Sequence, residues 1–319
     1  MSDIRLGLIG AGRWGRVYMN TLADMAGVTL SALASSNPHS RNLVDEDVAL
    51  HEDWHDLINT GGVDGLIVAT PPASHAEIAR AALESGLPVL VEKPLTLDVE
   101  EARSLCDLAE RIDGLVMVDH IHLFSPAFRA LKREAAKLGP VRRMESEAGN
   151  YGPFRKATPI LWDWGAHDVS MCLDLMGEIP SEVAARRIEE RQTDEGSGEI
   201  LDVKLYFSGG KADEAAAEIR MGNLMPGKRR RFCAAFDAGI LVYDDLAVDK
   251  LSFVPESTSP ETKIRAIAVA GEPPLICATR EFADAITAGS RSQESLQLGL
   301  SVVETLARCQ QALETPHPA

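Results

Sequence analysis

The chain has 319 residues, 45% of them hydrophobic and 25% charged, and carries a formal net charge of −16. That length exceeds one comfortable hydrophobic core, so two domains are expected, and the charge argues against nucleic acid as a partner. Five widely spaced cysteines form no C-x-x-C, no apolar run reaches the length of a membrane span, and the N-terminus lacks a signal-peptide pattern, so a reduced, cytoplasmic protein without a membrane partner is expected.

In chain order, apolar strands are predicted at 4–9, 29–34, 63–69, 89–92 and 115–118. Helical patterns fall between them, near 13–26, 53–59, 74–85 and 98–111. Ser74 and Glu77 have the spacing of a capping box, and Ser125-Pro126 reads as an N-cap followed by proline at the first helical position. Continuous apolar strands separated by helices imply a doubly wound parallel sheet covered on both faces, with ligands bound at the carboxyl ends of its strands. Past residue 123 the rhythm changes. A helix at 127–137 leads into a strand at 141–148, an irregular stretch at 149–159 and a helix from about 164 to 176. Turn signals at Ser208-Gly209-Gly210, Asp237-Ala238-Gly239 and Asp244-Asp245 then mark a mostly antiparallel sheet over 181–254. A helical block over 279–313, broken near Gly289-Ser290, closes the chain. The expected fold is therefore α/β throughout. Residues 1–122 form a dinucleotide-binding Rossmann domain, and residues 123–319 form a substrate-binding and oligomerisation domain with a large open sheet.

The first predicted strand runs directly into Gly10-Ala11-Gly12-Arg13-Trp14-Gly15 and then into a helix, the context a dinucleotide fingerprint requires. Gly10 permits a tight turn, Gly12 lets backbone approach a pyrophosphate, and Gly15 lets helix and strand pack closely. The free N–H groups of the helix N-terminus face the phosphates. Ser35, Ser36, Asn37, Thr70, Pro71, Pro72, Lys93, Pro94 and Asp119–His122, with His120 among them, lie just past predicted strands, and Ala69 and Glu92 end two of those strands, so all border the expected crevice. Lys93 sits at a strand end before a proline, where desolvation would lower its pKa toward catalytic use. Asp163 and His167 are spaced i, i+4, which places a carboxylate and an imidazole on one helix face. The carboxylate there would fix the tautomer of a proton-accepting histidine. The bland alternatives are a surface lysine, and a capping aspartate beside a packed histidine. His120 and His122 with Asp163 and His167 also allow a metal cluster to be considered. Strand-like alternation and the absence of a nearby cysteine count against it, and no metal is expected. The basic run Lys228-Arg229-Arg230-Arg231 reads first as a solvated turn, and otherwise as a phosphate site. Arg155 and Lys156 are better placed for substrate contact, and Trp162 and Trp164 suggest a partly buried pocket.

Four motifs in register, Gly10–Gly15, Ala69-Thr70-Pro71-Pro72 with His75, Glu92-Lys93-Pro94, and Asp163-x-x-x-His167, resemble the Gfo/Idh/MocA family of oxidoreductases. The resemblance implies a Rossmann domain that binds NAD or NADP through the first three motifs. It also implies a C-terminal α/β domain whose sheet serves for assembly into a homodimer or homotetramer. Lys93, Asp163 and His167 would form the catalytic group, with His167 as acid/base, Asp163 orienting it and Lys93 bonded to the reacting oxygen, or Lys93 relaying the proton or itself accepting it. His120, Arg155 and Trp162 would join them around a sugar-like substrate. Hydride exchange with a secondary alcohol of a sugar, cyclic polyol or nucleotide-sugar is then expected. A non-catalytic dinucleotide sensor and a C=C or C=N reductase are the alternatives. An NAD-preferring turn normally places an acid after the second strand. Here Ser35-Ser36-Asn37 stand there, with Arg41 nearby, so NADP is expected over NAD.

Overall fold

A computed structural model describes residues 3–154, 158–207, 215–256 and 264–315. Strand and helix alternate through β1 (Ile4–Ile9), α1 (Arg13–Ala23), β2 (Val28–Ala34), β3 (Ala49–His51), α2 (Trp54–Thr60), β4 (Gly65–Val68), α3 (His75–Glu84), β5 (Val89–Glu92), α4 (Val99–Arg111) and β6 (Val116–Asp119). The chain continues with α5 (Pro126–Leu138), β7 (Arg143–Tyr151), α6 (Ile160–Met176), β8 (Glu182–Thr193), β9 (Gly196–Phe207) and β10 (Ala215–Gly222). Then come β11 (Leu224–Phe236), β12 (Gly239–Asp244), β13 (Leu251–Pro255), β14 (Arg265–Ala266), α7 (Pro274–Thr287) and α8 (Glu294–Glu314).

The chain divides into two compact units. The first comprises residues 1–121 with 273–303, the second 122–272 with 304–319. The expected second domain, 123–319, is therefore not one continuous piece. Residues 273–303 return to the first unit because α7 has an apolar face to bury there. Phe282 and Ile286 pack against Gly65, where an added Cβ would lie 2.6 Å from Ile286 Cδ1. The division then falls within α8.

In the first unit six parallel strands lie in the order β3-β2-β1-β4-β5-β6. Every residue of β4, β5 and β6 is buried, as strands covered on both faces must be. β3, a three-residue edge strand, is too short to carry a period and is not among the predicted strands. The predicted capping box at Ser74 does not form. Its hydroxyl bonds Thr70 Oγ1 at 2.8 Å and the Pro71 carbonyl at 2.9 Å instead. Asp98, in contrast, caps α4 by accepting from the Glu101 N–H at 2.9 Å.

In the second unit eight strands lie in the order β14-β13-β12-β11-β7-β10-β9-β8, all antiparallel except the β7–β10 pair. Residues alternate strictly from Arg143 to Ala148 of β7: Met144, Ser146 and Ala148 are buried, while Arg143, Glu145 and Glu147 are exposed. Helix α6 covers the buried face and is itself nearly all buried from Ile160 to Leu173, which fixes its rotation. The opposite face carries cross-strand ion pairs. Asp202 lies between Arg186 (2.9 Å) and Arg220 (2.7 Å), and Glu218 between Arg143 (2.9 Å) and Lys204 (2.7 Å). Helix α6 starts at Ile160, earlier than expected, so Asp163 falls in its first turn. The predicted turn at 208–210 lies outside the described residues.

Candidate active site

At the carboxyl edge of the first unit's sheet, β1 ends in the glycine turn. Gly10 has φ +106°, and a Cβ there would lie 2.7 Å from the Ala69 carbonyl oxygen. A Cβ on Gly15 would lie 2.0 Å from the Gly10 oxygen, so α1 reaches its place only with hydrogen at that position. A Cβ on Gly12 would meet nothing within 4 Å. Gly12 is also the N-cap of α1 and makes no side-chain cap bond, so the first N–H groups of the helix face outward. This is a cradle a pyrophosphate fits: open where backbone must approach an anion, closed where strand and helix meet.

Past β2, Ser35 Oγ accepts from Asn37 N–H at 3.3 Å and from the buried Ser40 hydroxyl at 2.8 Å. Asn37 in turn accepts from His39 N–H at 3.0 Å. No carboxylate stands in this turn. Arg41 is committed to its own loop, donating to the carbonyls of Val48 (2.8 Å), Val44 (3.3 Å) and Asp45. The guanidinium expected to meet a 2′-phosphate thus has several donors already engaged.

His75 was expected among the cofactor contacts. Its ring is buried, with Nδ1 2.9 Å from the Pro94 carbonyl and Nε2 2.9 Å from the Thr70 carbonyl. It ties the turn after β4 to the turn after β5. A neutral imidazole has one N–H and can donate to only one of these carbonyls at a time. Burial nevertheless pushes its pKa down and favours that neutral form. Thr70, Pro71 and Pro72 border the same edge, half-buried or exposed.

Lys93 follows directly on β5 and is buried, as are Glu92 and Pro94. Glu92 and Asp119 are register partners on the last rung of β5 and β6, so their carboxyls lie on one face. The Tyr18 hydroxyl, from α1, donates to Asp119 Oδ2 at 2.6 Å. Burial pushes the Asp119 pKa up to about 6, opposed by the Tyr18 hydrogen bond and by Lys93. Glu92 is pushed well above the carboxylate range, first by burial and then by Asp119. The sequence places Glu92 and Asp119 each at a strand end bordering the crevice but does not pair them; an acidic residue ending each of two adjacent strands is the available signal. His120 is also fully buried, neither ring nitrogen has a hydrogen-bond partner, and burial pushes its pKa down to about 3.

In the second unit, α6 carries Asp163, half-buried in its first turn, and His167 one turn later, buried. His122 meets the His167 ring edge-on at 5.1 Å, and His122 Nδ1 lies 3.0 Å from the Tyr243 hydroxyl. The next residue, Asp168, accepts from the buried Ser146 hydroxyl of β7 at 2.5 Å, which helps fix the rotation of α6. Trp162 is buried, and Trp164 lies beneath the Arg230 guanidinium at 4.2 Å. His122, Tyr243 and Arg230 were not predicted as site residues. In the sequence, His122 stands in the 119–122 stretch past a predicted strand and in the metal cluster considered, and Arg230 in the basic run. Arg155 and Lys156 lie outside the described residues. Among the described residues, no group of three metal-ligating side chains forms and no helix is long and apolar enough to cross a membrane.

Residues 4–120 match the oxidoreductase family with an NAD-binding Rossmann fold, GFO_IDH_MocA. A protein assigned as an oxidoreductase from Magnetospirillum magnetotacticum MS-1, known by crystal structure, is 43% identical. The likeness covers 97% of this chain and 100% of that one, with a TM-score of 0.89. The rhizopine catabolism protein MocA of Rhizobium meliloti is 32% identical over 57% of this chain and 60% of its own. Inositol 2-dehydrogenase of Rhizobium meliloti (strain 1021) is 26% identical over 65% and 66% respectively. The chain thus spans 60% and 66%, less than two thirds, of the length of these two curated relatives.

Proposed function

The chain belongs to the Gfo/Idh/MocA oxidoreductase family, and from that premise we propose that it is an NAD(P)-dependent dehydrogenase acting on a secondary alcohol of a sugar, cyclic polyol or nucleotide-sugar, or on the corresponding ketone. The observation that carries this reading is the Gly10–Gly15 turn, closed at Gly10 and Gly15 and open at Gly12. A nicotinamide cofactor bound there supplies hydride acceptance or return. Gly10, Ala11, Gly12, Arg13, Trp14 and Gly15 hold its phosphates, and the strand-end residues from Ala69 to Pro72 and from Glu92 to Pro94 border it.

The chain's own residues handle the proton. His167 takes the hydroxyl proton of the alcohol, or returns it to the ketone. Asp163, one turn earlier on α6, orients the imidazole and favours its protonated form as the proton arrives. Lys93 donates a hydrogen bond to the reacting oxygen and stabilises negative charge developing there. A positioned acid/base of this kind contributes roughly 10²–10⁴-fold. NADP is the preferred cofactor, because the turn after β2 offers hydroxyls and an amide and no carboxylate. The second unit's sheet, with its charged face, joins copies of the chain into a homodimer or homotetramer.

The test is absorbance at 340 nm with NAD+ and NADP+ over a panel of inositols, free sugars and nucleotide-sugars. Turnover of at least one, reduced 10²-fold or more in His167→Ala, supports the reading. Tight cofactor binding without turnover on any panel member points instead to a dinucleotide sensor or a reductase of C=C or C=N bonds.

A further inference from the structure

The basic run Lys228-Arg229-Arg230-Arg231 has no part in the reaction above, and β11 sorts its side chains. Arg229 and Arg231 are exposed, whereas Arg230 shares its strand face with Phe232, Ala234 and Phe236, all buried. Arg230 is thereby turned inward. Its guanidinium carbon lies over the Trp164 ring, 4.2 Å from the centroid, within cation–π range, and Arg230 lines a small cavity with His122, His167, Asp168 and Tyr243. Its Nη1 is buried and has no hydrogen-bond partner. Buried donors are normally paired, so this one is suited to a ligand oxygen. A guanidinium stacked on an indole keeps its N–H groups in plane, projecting from its rim as a fork that fits two neighbouring oxygens.

Charge decides which oxygens. Asp163, Asp168 and Asp245 all lie close enough to act electrostatically on Arg230. Three carboxylates already offset this one cation. A further carboxylate or phosphate would enter a negative surrounding, whereas uncharged hydroxyls would not. Taking the dehydrogenase reading as its basis, we propose that Arg230 is a substrate-anchoring residue. Its rim donates to adjacent hydroxyl oxygens of an uncharged polyol ring, and it selects such rings against those bearing a carboxylate or phosphate.

The experiment is steady-state kinetics with scyllo-inositol, myo-inositol and D-glucose against D-glucuronate and glucose 6-phosphate. Wild type, Arg230→Met, Arg230→Lys and the outward-facing Arg229→Met are compared, with the cofactor Kd and the Tm measured in parallel. The neutral compounds are expected to turn over faster than the anionic ones. Arg230→Met is expected to raise KM for them roughly ten- to hundredfold, the worth of one or two bonds from a charged donor, with the cofactor Kd unchanged. Arg229→Met should leave KM unchanged. Arg230→Lys keeps the charge but loses the fork, and should raise KM about tenfold at a native Tm, which answers the question if Arg230→Met fails to fold. An unchanged KM in either Arg230 variant, or a wild-type preference for glucuronate or glucose 6-phosphate, overturns the proposal. Turnover of nucleotide-sugars alone overturns the proposal and leaves the dehydrogenase reading standing, whereas no turnover by wild type on the five or on nucleotide-sugars with either cofactor overturns that reading, and the role of Arg230 falls with it.

Discussion

Replacing Asp119 by Asn should remove a pH dependence of stability that Asp119 gives the first unit. Asp119 is fully buried beside Glu92, and its pKa is raised from 3.8 to about 6, chiefly by burial. A raised carboxyl pKa means that the folded state holds the proton more tightly than the unfolded chain. The stabilisation is therefore complete below pH 3.8 and is lost as pH rises through 6. A rise of about two units corresponds to about 3 kcal/mol, surrendered by neutral pH. Asparagine is neutral throughout and can still accept from the Tyr18 hydroxyl, at a cost of about 1 kcal/mol for a weaker bond. Asp119→Asn should thus be about 0.5 kcal/mol less stable than wild type near pH 4 and about 2 kcal/mol more stable near pH 7.5. Thermal melts of the full chain from pH 4 to 8 would show the two Tm curves crossing, with a gap of several degrees at the neutral end. Parallel curves would refute the reasoning and mean that Asp119 titrates alike in the folded and unfolded states.

Four further outcomes are expected. His167→Ala should lower turnover by about 10²–10⁴-fold while the cofactor Kd stays within twofold, and near-normal turnover would remove His167 from the acid/base role. Gly15→Ala places a Cβ 2.0 Å from the Gly10 oxygen. It should therefore displace α1 and weaken cofactor binding more than tenfold in a fluorescence titration, and an unaltered Kd would show that the turn relaxes freely. Wild type should bind NADP more tightly than NAD by calorimetry. Arg41→Ala should lower the Tm more than it changes the ratio of the two Kd values, because its guanidinium holds the carbonyls of Val44, Asp45 and Val48. Collapse of that ratio would place Arg41 on the 2′-phosphate after all.

What the sequence revealed and what it hid differ in range. The glycine turn, the parallel strands and the i, i+4 spacing of Asp163 and His167 are local facts, written within a few residues by period and backbone geometry. The architecture followed from them, down to a parallel first sheet and a mostly antiparallel second. The return of residues 273–303 to the first unit was not legible, because a helix's apolar stripe states that it must be covered and not by what. His75 shows the same limit at one residue. Its place in a motif suggested a cofactor contact, whereas its two carbonyl neighbours, at Thr70 and Pro94, come from separate turns.

The basic run carries the point furthest. Four consecutive cations read as a solvated patch because, taken along the sequence, nothing distinguishes one from the next. A strand distinguishes them at once, since its period of two sends neighbours to opposite faces. The phase of that period is set by Phe232, Ala234 and Phe236, which must be buried, and Arg230 is in phase with them. Its charge goes inward as a consequence of the phenylalanines' burial, and Trp164 on α6 provides the flat apolar surface that makes this tolerable. The cation is thus fixed in position by residues that have no part in chemistry. That is why its partner must be sought in the substrate, and why Arg229, its neighbour in sequence, serves as the control.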